Sequence, residues 1–309
     1  MHWLPPASLD ELTSRTRLPR AERTKEGWLV QITEDRALLA ASSITDLEGI
    51  LTLASSVGVD VLVTSPPTLA EVQHLPGPEA GDLLRGVNEQ LAAAQSAHPD
   101  RFVGLATLPM QDPGEALSVL DHAVGLRLRG VMMHSSIEGR PIATDETLPV
   151  FKRLDELRMP VILHPAVRSQ TFAVNGGVTV AEGGIFWMAH TSAAAFNLIE
   201  SGTLDACPNL VVLHPHLGGV LPYLLGRLER IQNERHEIAI SEYLRTRFFT
   251  DTVGRTPGQI RMAMQTYGTD RVLFGSDNPF EQMAWMKQYV SDEGVADVVF
   301  ANVLPGLVP

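Results

Sequence analysis

Three segments of the chain place a histidine or an aspartate directly after a short apolar run. His164 and Asp277 each follow such a run, and His214 and His216 both follow a third. Imidazole nitrogens combined with one carboxylate suit zinc or a similar divalent ion. Spacing alone does not rank His214 against His216. If the runs are strands whose ends converge, these residues predict a metal-dependent enzyme site.

Each of these residues also has an ordinary structural explanation. A lone histidine at a strand end is more often a satisfied polar group than a ligand, and Asp277 alone could cap a helix. Three such strand ends in one chain favour a shared site over separate coincidences. Gly218 and Gly219 support this interpretation, because glycine lets the backbone approach a ligand closely.

Short apolar runs alternate with longer helical patterns along most of the chain. Helical patterns cover approximately 80–97, 114–126, 147–157, 192–201, 222–237 and 259–267. The runs are continuously apolar, as expected for parallel strands that are buried on both faces. The predicted strands are 59–64, 102–107, 130–133, 160–164, 210–213, 248–251 and 271–274.

This alternation fits either a doubly wound sheet or a closed barrel. The glycine signature of dinucleotide-binding folds is absent after the early strands. Strands that end in polar, chemically capable residues instead favour an α/β fold of the (β/α)8 TIM barrel type, with the site at its carboxyl rim. We therefore predict one domain over residues 1–309.

Seven strand–helix units are one fewer than this barrel needs, so the first strand is predicted to be truncated before His2. Residues 5–44 show no clear strand and are rich in charge and proline, which predicts an insertion that covers the site. Residues 166–188 contain two glycine pairs and predict a second loop over the site.

Composition excludes several classes of protein. The net charge of −12 and the lack of a basic stripe argue against a nucleic-acid partner. No apolar run approaches the roughly 20 residues that span a bilayer, and the N-terminus lacks a signal-peptide pattern. One cysteine excludes an internal disulfide. The simplest interpretation is a cytoplasmic enzyme without a membrane partner.

The motifs between about residues 46 and 279 resemble those of a known family. This is the amidohydrolase-related family that includes aminocarboxymuconate-semialdehyde decarboxylase and the resorcylate decarboxylases. The order and spacing of the motifs carry the resemblance more than any one of them. They are Pro99-Asp100-Arg101-Phe102-Val103-Gly104, Gly130-Val131-Met132-Met133-His134, Gly139-Arg140-Pro141, Pro160-Val161-Ile162-Leu163-His164-Pro165, His216-Leu217-Gly218-Gly219, Pro222-Tyr223 and Phe274-Gly275-Ser276-Asp277-Asn278-Pro279.

The resemblance implies a role for each candidate residue. In the family a first-strand His-x-His or Glu-x-His pair, a fifth-strand histidine and an eighth-strand aspartate hold the metal. His2 matches the second member of the pair, and His164 and Asp277 match the other two ligands. His216 matches the histidine that activates water or substrate, which leaves His214 as a structural residue.

The first member of the pair is absent, because Met1 falls on the position between the two. One hypothesis places the true start upstream, with a first strand that ends in His or Glu. The other is a degenerate homologue with a weakened site; the completeness of the other motifs favours the first. Met132-Met133-His134 puts no lysine at the fourth-strand end, so one divalent ion is expected, with zinc first and manganese as the alternative. A homodimer is a common outcome in this family.

The resemblance implies non-oxidative decarboxylation of an aromatic or unsaturated small-molecule carboxylic acid. Asp277 would bind the metal and move a proton, while His216 orients water or substrate. Trp187 is a candidate wall for a planar substrate, and Arg168 and Arg23 are candidates for a second substrate carboxylate.

Two alternatives remain open at this point. One is a hydrolase that uses a metal-bound hydroxide on a lactone, amide or ester, with the same ligands. The other is a non-catalytic small-molecule binder, if the chain truly starts at Met1.

Overall fold

Parallel strands form the centre of the molecule in a computed structural model, which describes residues 1–166, 181–232, 238–254 and 258–307. All seven predicted strand segments are strands here, with ends that differ by a few residues from the prediction. An antiparallel group precedes them. The strands are β1 (Arg20–Arg23), β2 (Gly27–Thr33), β3 (Arg36–Ala41), β4 (Leu62–Thr64), β5 (Phe102–Gly104), β6 (Ala106–Thr107), β7 (Val131–His134), β8 (Val161–His164), β9 (Val212–His214), β10 (Phe248–Asp251) and β11 (Val272–Leu273).

The parallel strands follow one another in chain order. A six-stranded sheet has the order β11-β10-β9-β8-β7-β6, and β4 pairs with β5. Only Leu105 separates β5 from β6, so the two sheets form one series of neighbours. Side chains of this series are almost all buried, since helices cover the outer face. The observed order is that of a (β/α)8 barrel, as the sequence predicts.

The first three residues lie between the two ends of this series. His2 forms a parallel bridge with Ser65, which directly follows β4. The His2 backbone N–H also donates to the carbonyl oxygen of Asn278, beyond β11, at 2.8 Å. Trp3 is 5% exposed, and its ring centroid lies 5.5 Å from that of Phe102. The N-terminal segment thus joins β4 to the β11 side at the carboxyl end of the barrel.

The helices pack around the strands, and their limits follow from local signals. Asp46 and Asp112 cap α2 and α4, accepting hydrogen bonds from the backbone N–H of Gly49 and Glu115. The helices are α1 (Pro6–Ser14), α2 (Leu47–Ser56), α3 (Gly77–Ala97), α4 (Pro113–Gly125), α5 (Leu148–Leu157), α6 (Trp187–Glu200), α7 (Thr203–Ala206), α8 (Pro215–Gly218), α9 (Leu221–Gln232), α10 (Ile240–Arg247), α11 (Gln259–Tyr267), α12 (Met283–Asp292) and α13 (Ala296–Ala301).

The prediction that residues 5–44 contain no strand was wrong. They form α1 and a three-stranded antiparallel sheet with the order β1-β2-β3. Trp28, Val30 and Ile32 alternate along β2 and are at most 7% exposed, which is the period of a half-buried strand. Charged residues on both sides of β2 made this alternation hard to recognise in the sequence. None of residues 5–44 lines the cavity described below, so the structure gives them no role as its cover.

The predicted loop over 166–188 lies largely outside the described residues, which omit 167–180. Its described end is helical rather than a loop. A π-helix spans Glu182–Phe186 and continues into α6 at Trp187. Within the described ranges, no helix combines the length and the apolar character needed to cross a membrane.

Candidate active site

Three of the predicted site residues meet at the carboxyl end of the barrel. His2 Nε2 lies 3.0 Å from Asp277 Oδ1. The ring centroids of His2 and His164 are 5.1 Å apart, with the rings edge to face. His2 comes from the N-terminal segment, His164 from the last position of β8 and Asp277 from the loop after β11. Residues that are far apart in sequence therefore share one small volume.

The second ring nitrogen of each histidine is held by the protein. His164 Nδ1 donates to the carbonyl oxygen of Pro165 at 2.8 Å, and His2 Nδ1 lies 3.0 Å from Ser65 Oγ. Since a carbonyl oxygen can only accept, His164 carries its proton on Nδ1 and keeps a lone pair on Nε2. Metal-binding histidines in proteins are oriented in this way.

Burial keeps both imidazoles in the form that binds metals. Burial, and then the neighbouring imidazoles of His2 and His134, hold the pKa of His164 well below its ordinary value. The pKa of His2 is also lowered, mainly by burial. Neutral imidazole is the form that donates an electron pair to a metal.

Asp277 is an anion at neutral pH. Burial by itself raises the pKa of this carboxyl group, but the hydrogen bond with His2 and the electrostatic interactions with His2 and His216 outweigh it. The net result is a pKa well below the ordinary range of an aspartate. Its backbone adopts the left-handed conformation, with φ 53°.

The side chains of His2, His164 and Asp277 are of the types that bind a divalent ion, although they are not arranged as a formed metal site. Within the described part of the chain, no group of three or more His, Cys, Asp or Glu side chains has the arrangement of a formed metal site. His2 and Asp277 instead contact each other directly at 3.0 Å. Two imidazoles and one carboxylate are the donor types that a divalent ion such as zinc takes in proteins, so the residues present fit a metal.

His216 lies on a strained turn after β9. His216, Leu217, Gly218 and Gly219 all have positive φ, between 56° and 80°. The His216 backbone N–H donates to Asp251 Oδ1 at 2.7 Å, and that oxygen also accepts from the Val253 N–H at 3.1 Å. The left-handed conformation is costly for residues with a side chain, so these bonds hold the turn in place.

Asp251 was not identified as a site residue from the sequence. It stands at the end of β10, and burial raises the pKa of its carboxyl group, against a smaller lowering by His216. The available signal was an acidic residue at a strand end, in the run Phe248-Phe249-Thr250-Asp251. Like Asp277, it lies at the carboxyl end of its strand–helix unit, although Asp251 is within its strand and Asp277 follows its own strand by four residues.

His214 and His216, which spacing could not rank, have different surroundings. His214 is fully buried, and its ring nitrogens lie 3.2 Å from Tyr267 Oη and 3.3 Å from Thr191 Oγ1. Burial, and then His216, lower the pKa of His214 to about 3. By contrast, His216 lines a cavity, and its Nδ1 is buried without a hydrogen-bond partner among the described residues.

A cavity of about 620 Å³ opens beside His216 and Asp277. Trp187 lines it, and the part of the chain that the structure describes offers no hydrogen-bond partner to its buried indole Nε1. Among the described residues, the lining consists of Gly183, Gly184, Trp187, Met188, His216, Leu217, Gly219, Pro222, Tyr223, Val253, Gly254, Gln259, Met262, Asp277, Phe280, Glu281 and Met286.

Arg23, one of the two arginines proposed for a second substrate carboxylate, is not part of this lining. Arg23 lies on β1, where its guanidinium carbon is 5.5 Å from the ring centroid of Trp28. The structure therefore does not bring Arg23 to the cavity. Arg168 falls outside the described residues.

A second buried pair adjoins the histidines. His134 ends β7, and its ring centroid lies 5.7 Å from that of His164. His134 Nε2 is 3.3 Å from Glu71 Oε1, without the alignment of a hydrogen bond. Both residues are at most 6% exposed. Nothing in the sequence around Glu71, which follows a short 3₁₀ helix, pointed to this position.

The comparison with protein families agrees with this geometry. Residues 62–299 match the family model described as amidohydrolase. The chain belongs to this amidohydrolase family. The TIM-barrel fold and the family suggested by the sequence motifs are thereby confirmed.

Curated members of similar sequence are decarboxylases. The chain is 27% identical over 214 residues to 2-amino-3-carboxymuconate-6-semialdehyde decarboxylase of Dictyostelium discoideum, a match that covers 65% of this chain and only 58% of that protein. It is 28% identical over 268 residues to gamma-resorcylate decarboxylase of Rhizobium radiobacter, covering 80% and 81% of the two chains.

Solved structures show the same fold. The apo form of Metarhizium anisopliae IDCase aligns with a TM-score of 0.83 and 21% identity, covering 97% of this chain and 93% of that one. A dihydroxybenzoic acid decarboxylase from Polaromonas sp. JS666, solved with manganese and the inhibitor 2-nitroresorcinol, aligns with a TM-score of 0.72 and 23% identity. This second alignment covers 84% of each chain.

Proposed function

We propose that the chain is a metal-dependent decarboxylase, which removes CO2 from an aromatic carboxylic acid without oxidation. The main observation is that His216 and Asp277 line one cavity, while His2 and His164 lie beside Asp277. Membership of the amidohydrolase family and relatives that are decarboxylases support the same activity.

His2, His164 and Asp277 would hold one divalent ion, zinc in the first instance and manganese as the alternative. When bound, the ion supplies Lewis-acid stabilisation of negative charge on the substrate. Burial lowers the pKa values of His2 and His164, so both imidazoles are neutral. The contact with His2 lowers the pKa of Asp277, so its carboxylate is an anion.

In this proposal Asp277 moves the proton and His216 orients the substrate. A proton taken from solvent water passes through Asp277 to the ring carbon that bears the carboxylate. The bond from that carbon to the carboxylate carbon then breaks, and its electron pair returns to the ring as CO2 leaves. Because the pKa of Asp277 is depressed, its protonated form is short-lived. This suits a residue that passes a proton to the substrate rather than one that keeps it. The buried Nδ1 of His216 has no partner in the described structure and is available to a substrate oxygen or a water.

The test combines metal content with product analysis. The purified chain is measured for bound divalent metal and assayed for CO2 release from hydroxybenzoic acids, with zinc or manganese supplied. We expect near-stoichiometric metal, and the loss of both metal and activity in His164→Ala and Asp277→Asn. His98→Ala, a change at a partly exposed histidine that pairs with Glu48, is the matched control.

Two results would contradict the proposal. One is a metal-loaded chain that opens lactones or cleaves amides without releasing CO2, which indicates the hydrolase alternative. The other is CO2 release that persists in Asp277→Asn, since no other described residue is assigned to the proton transfer.

A further inference from the structure

A buried carboxylate and a buried imidazole lie beside the candidate metal ligand His164. Glu71 Oε1 is 3.3 Å from His134 Nε2, and the two side chains are 3% and 4% exposed. The ring of His134 meets that of His164 edge to face, with the centroids 5.7 Å apart and the planes at 83°. The pair therefore contacts the histidine that would bind the metal.

The strand ends that carry His134 and His164 are joined by their backbones. The two residues are partners in the parallel pairing of β7 with β8. Just beyond them, the Ser135 backbone N–H donates to the His164 carbonyl oxygen at 2.8 Å, and the Ala166 N–H donates to Ser135 Oγ at 3.2 Å. These bonds fix the two backbones relative to each other, so the orientation of His164 depends on what its ring contacts.

Glu71 also lies on a fixed segment of the chain. Val72, the next residue, is 2% exposed, and its carbonyl oxygen accepts a hydrogen bond from Gln111 Nε2 at 3.0 Å. Gln73 Oε1 accepts the backbone N–H of Glu138 at 3.3 Å, which joins this segment to the one that follows β7. The segment that carries the carboxylate is therefore bonded to two of its neighbours.

The ring of His164 needs a restraint besides its own hydrogen bond. The bond from Nδ1 to the Pro165 carbonyl oxygen, at 2.8 Å, leaves the ring able to tilt about it. A tilt moves Nε2 away from the point where it would bind an ion. The edge-to-face contact with His134 limits this tilt as long as His134 does not rotate, and the carboxylate of Glu71 limits that rotation.

We propose that Glu71 and His134 are positioning residues that keep the His164 imidazole oriented for metal binding. Glu71 acts through His134, and His134 acts through its ring contact with His164. This inference rests on the proposed function, which makes His164 a ligand of a divalent ion. Loss of a residue that orients a metal ligand lowers metal affinity by about 10- to 100-fold.

A double-mutant cycle on zinc affinity tests the proposal. The dissociation constant is measured by chelator competition for the parent protein, Glu71→Ala, His134→Gln and the double variant. Each single change should weaken zinc binding about tenfold, and the double variant should be no weaker than His134→Gln, because Glu71 acts through that ring. Glu71→Gln keeps an oxygen beside the ring nitrogen and should restore most of the affinity. His134→Gln keeps an amide nitrogen for the buried carboxylate, which favours folding.

Asp155→Ala is the matched control, because it also removes a buried carboxylate. Asp155 is 9% exposed and accepts a hydrogen bond from the backbone N–H of Asn209, which precedes β9 at the amino end of the barrel. This variant should lose thermal stability and keep the zinc affinity of the parent protein.

A second measurement needs neither metal nor activity. Nitrogen-15 spectra of the metal-free protein show which ring nitrogen of His164 carries the proton. The parent protein should show one form, protonated on Nδ1, because of the bond to Pro165. Glu71→Ala should show exchange between the two tautomers, and Glu71→Gln should not.

The outcomes separate this inference from the proposed function. Unchanged zinc affinity in a folded Glu71→Ala, or additive effects in the double variant, would overturn the inference. So would an equal loss of affinity in Asp155→Ala, since reduced stability would then explain the result. A parent protein that neither binds zinc nor releases CO2 would instead contradict the proposed function, and the spectra of His164 would still decide whether Glu71 orients its ring.

Discussion

At the scale of single residues, the position of His216 depends on the carboxylate of Asp251. One oxygen of Asp251 accepts the backbone N–H groups of both His216 and Val253. Gly275 lies close by, and a Cβ atom there would be 2.6 Å from the Asp251 Cβ. Asp251 thus occupies a tight space, and its hydrogen bonds fix the turn that presents His216 to the cavity.

Replacing Asp251 separates a hydrogen-bonding role from a role of charge. Asp251→Ala leaves two buried N–H groups without an acceptor, which should lower the free energy of unfolding by about 1–3 kcal/mol. A displaced His216 should reduce kcat by about 100-fold, with a smaller effect on KM. Asp251→Asn keeps an oxygen that can accept these hydrogen bonds, so it should retain most of the stability and most of kcat. Denaturant unfolding measures the free energy of unfolding, and steady-state kinetics measure kcat and KM.

The control for this change is Asp82→Ala, because the Asp82 side chain is 84% exposed. It should leave stability and kinetics near those of the parent protein. If Asp251→Asn proves as inactive as Asp251→Ala while remaining folded, the negative charge of Asp251, rather than its position as an acceptor, is required.

At the scale of elements, the left-handed turn over 216–219, which overlaps the short segment α8, connects β9 to α9. Its glycines are packed too closely for a side chain. A Cβ on Gly218 would collide with the Tyr267 hydroxyl, and one on Gly219 would lie 2.7 Å from the Met188 carbonyl oxygen. This turn is therefore specified by backbone conformation and by close packing together.

Alanine substitutions at Gly218 and at a glycine outside the turn should show whether close packing or chain flexibility explains the need for glycine. Gly218→Ala introduces strain at φ +80° and a collision with Tyr267, so both thermal stability and activity should fall. Gly226→Ala lies within α9, where an added Cβ meets nothing within 4 Å. It should be neutral, or stabilising by about 0.5–1 kcal/mol. Equal effects of the two changes would contradict this account of the turn.

The N-terminal segment is the second element that the site requires. Trp3 anchors it through its ring contact with Phe102 and a hydrogen bond from its indole to the Thr45 carbonyl oxygen, at 3.3 Å. Trp3→Ala should cost about 3–5 kcal/mol of unfolding free energy, as expected for a buried aromatic residue. It should also weaken metal binding, because His2 is the preceding residue. Trp285→Ala, at a position that is 57% exposed, is the control.

At the scale of the whole molecule, buried neutral histidines link stability to pH. The pKa values of His2, His164 and His214 are all lowered, in each case chiefly by burial. Unfolded histidines bind a proton near pH 6.5. On acidification the unfolded state therefore takes up more protons than the folded state, and the free energy of unfolding falls as pH decreases below about 6.5.

His214→Gln should make this dependence shallower. The folded pKa of His214 is about 3, so its contribution changes between about pH 6.5 and pH 3. The measurement is denaturant unfolding at several pH values, and the slope matters more than the absolute stability. An unaltered slope in His214→Gln would show that His214 is not kept neutral by the fold.

The amino-acid sequence by itself determined the barrel and most of the candidate site. Continuous apolar runs followed by helical patterns specify parallel strands with covered faces, because each run has to be buried on both sides. His164 and Asp277 could be selected because each follows such a run, and parallel strands bring their carboxyl ends to one rim. His216 was chosen over His214 only from the resemblance to the amidohydrolase-related family. These are local signals, and they can be read without knowing which strands are neighbours.

Only the tertiary structure decided the features that depend on contacts between distant segments. It placed Met1–Trp3 between β4 and the β11 side, joined Asp251 to the His216 turn, and brought Glu71 to His134. It also distinguished His214, enclosed by Tyr267 and Thr191, from His216 at the cavity. A single sequence carries no local mark of these pairings, because burial and hydrogen-bond partners arise only when the barrel closes.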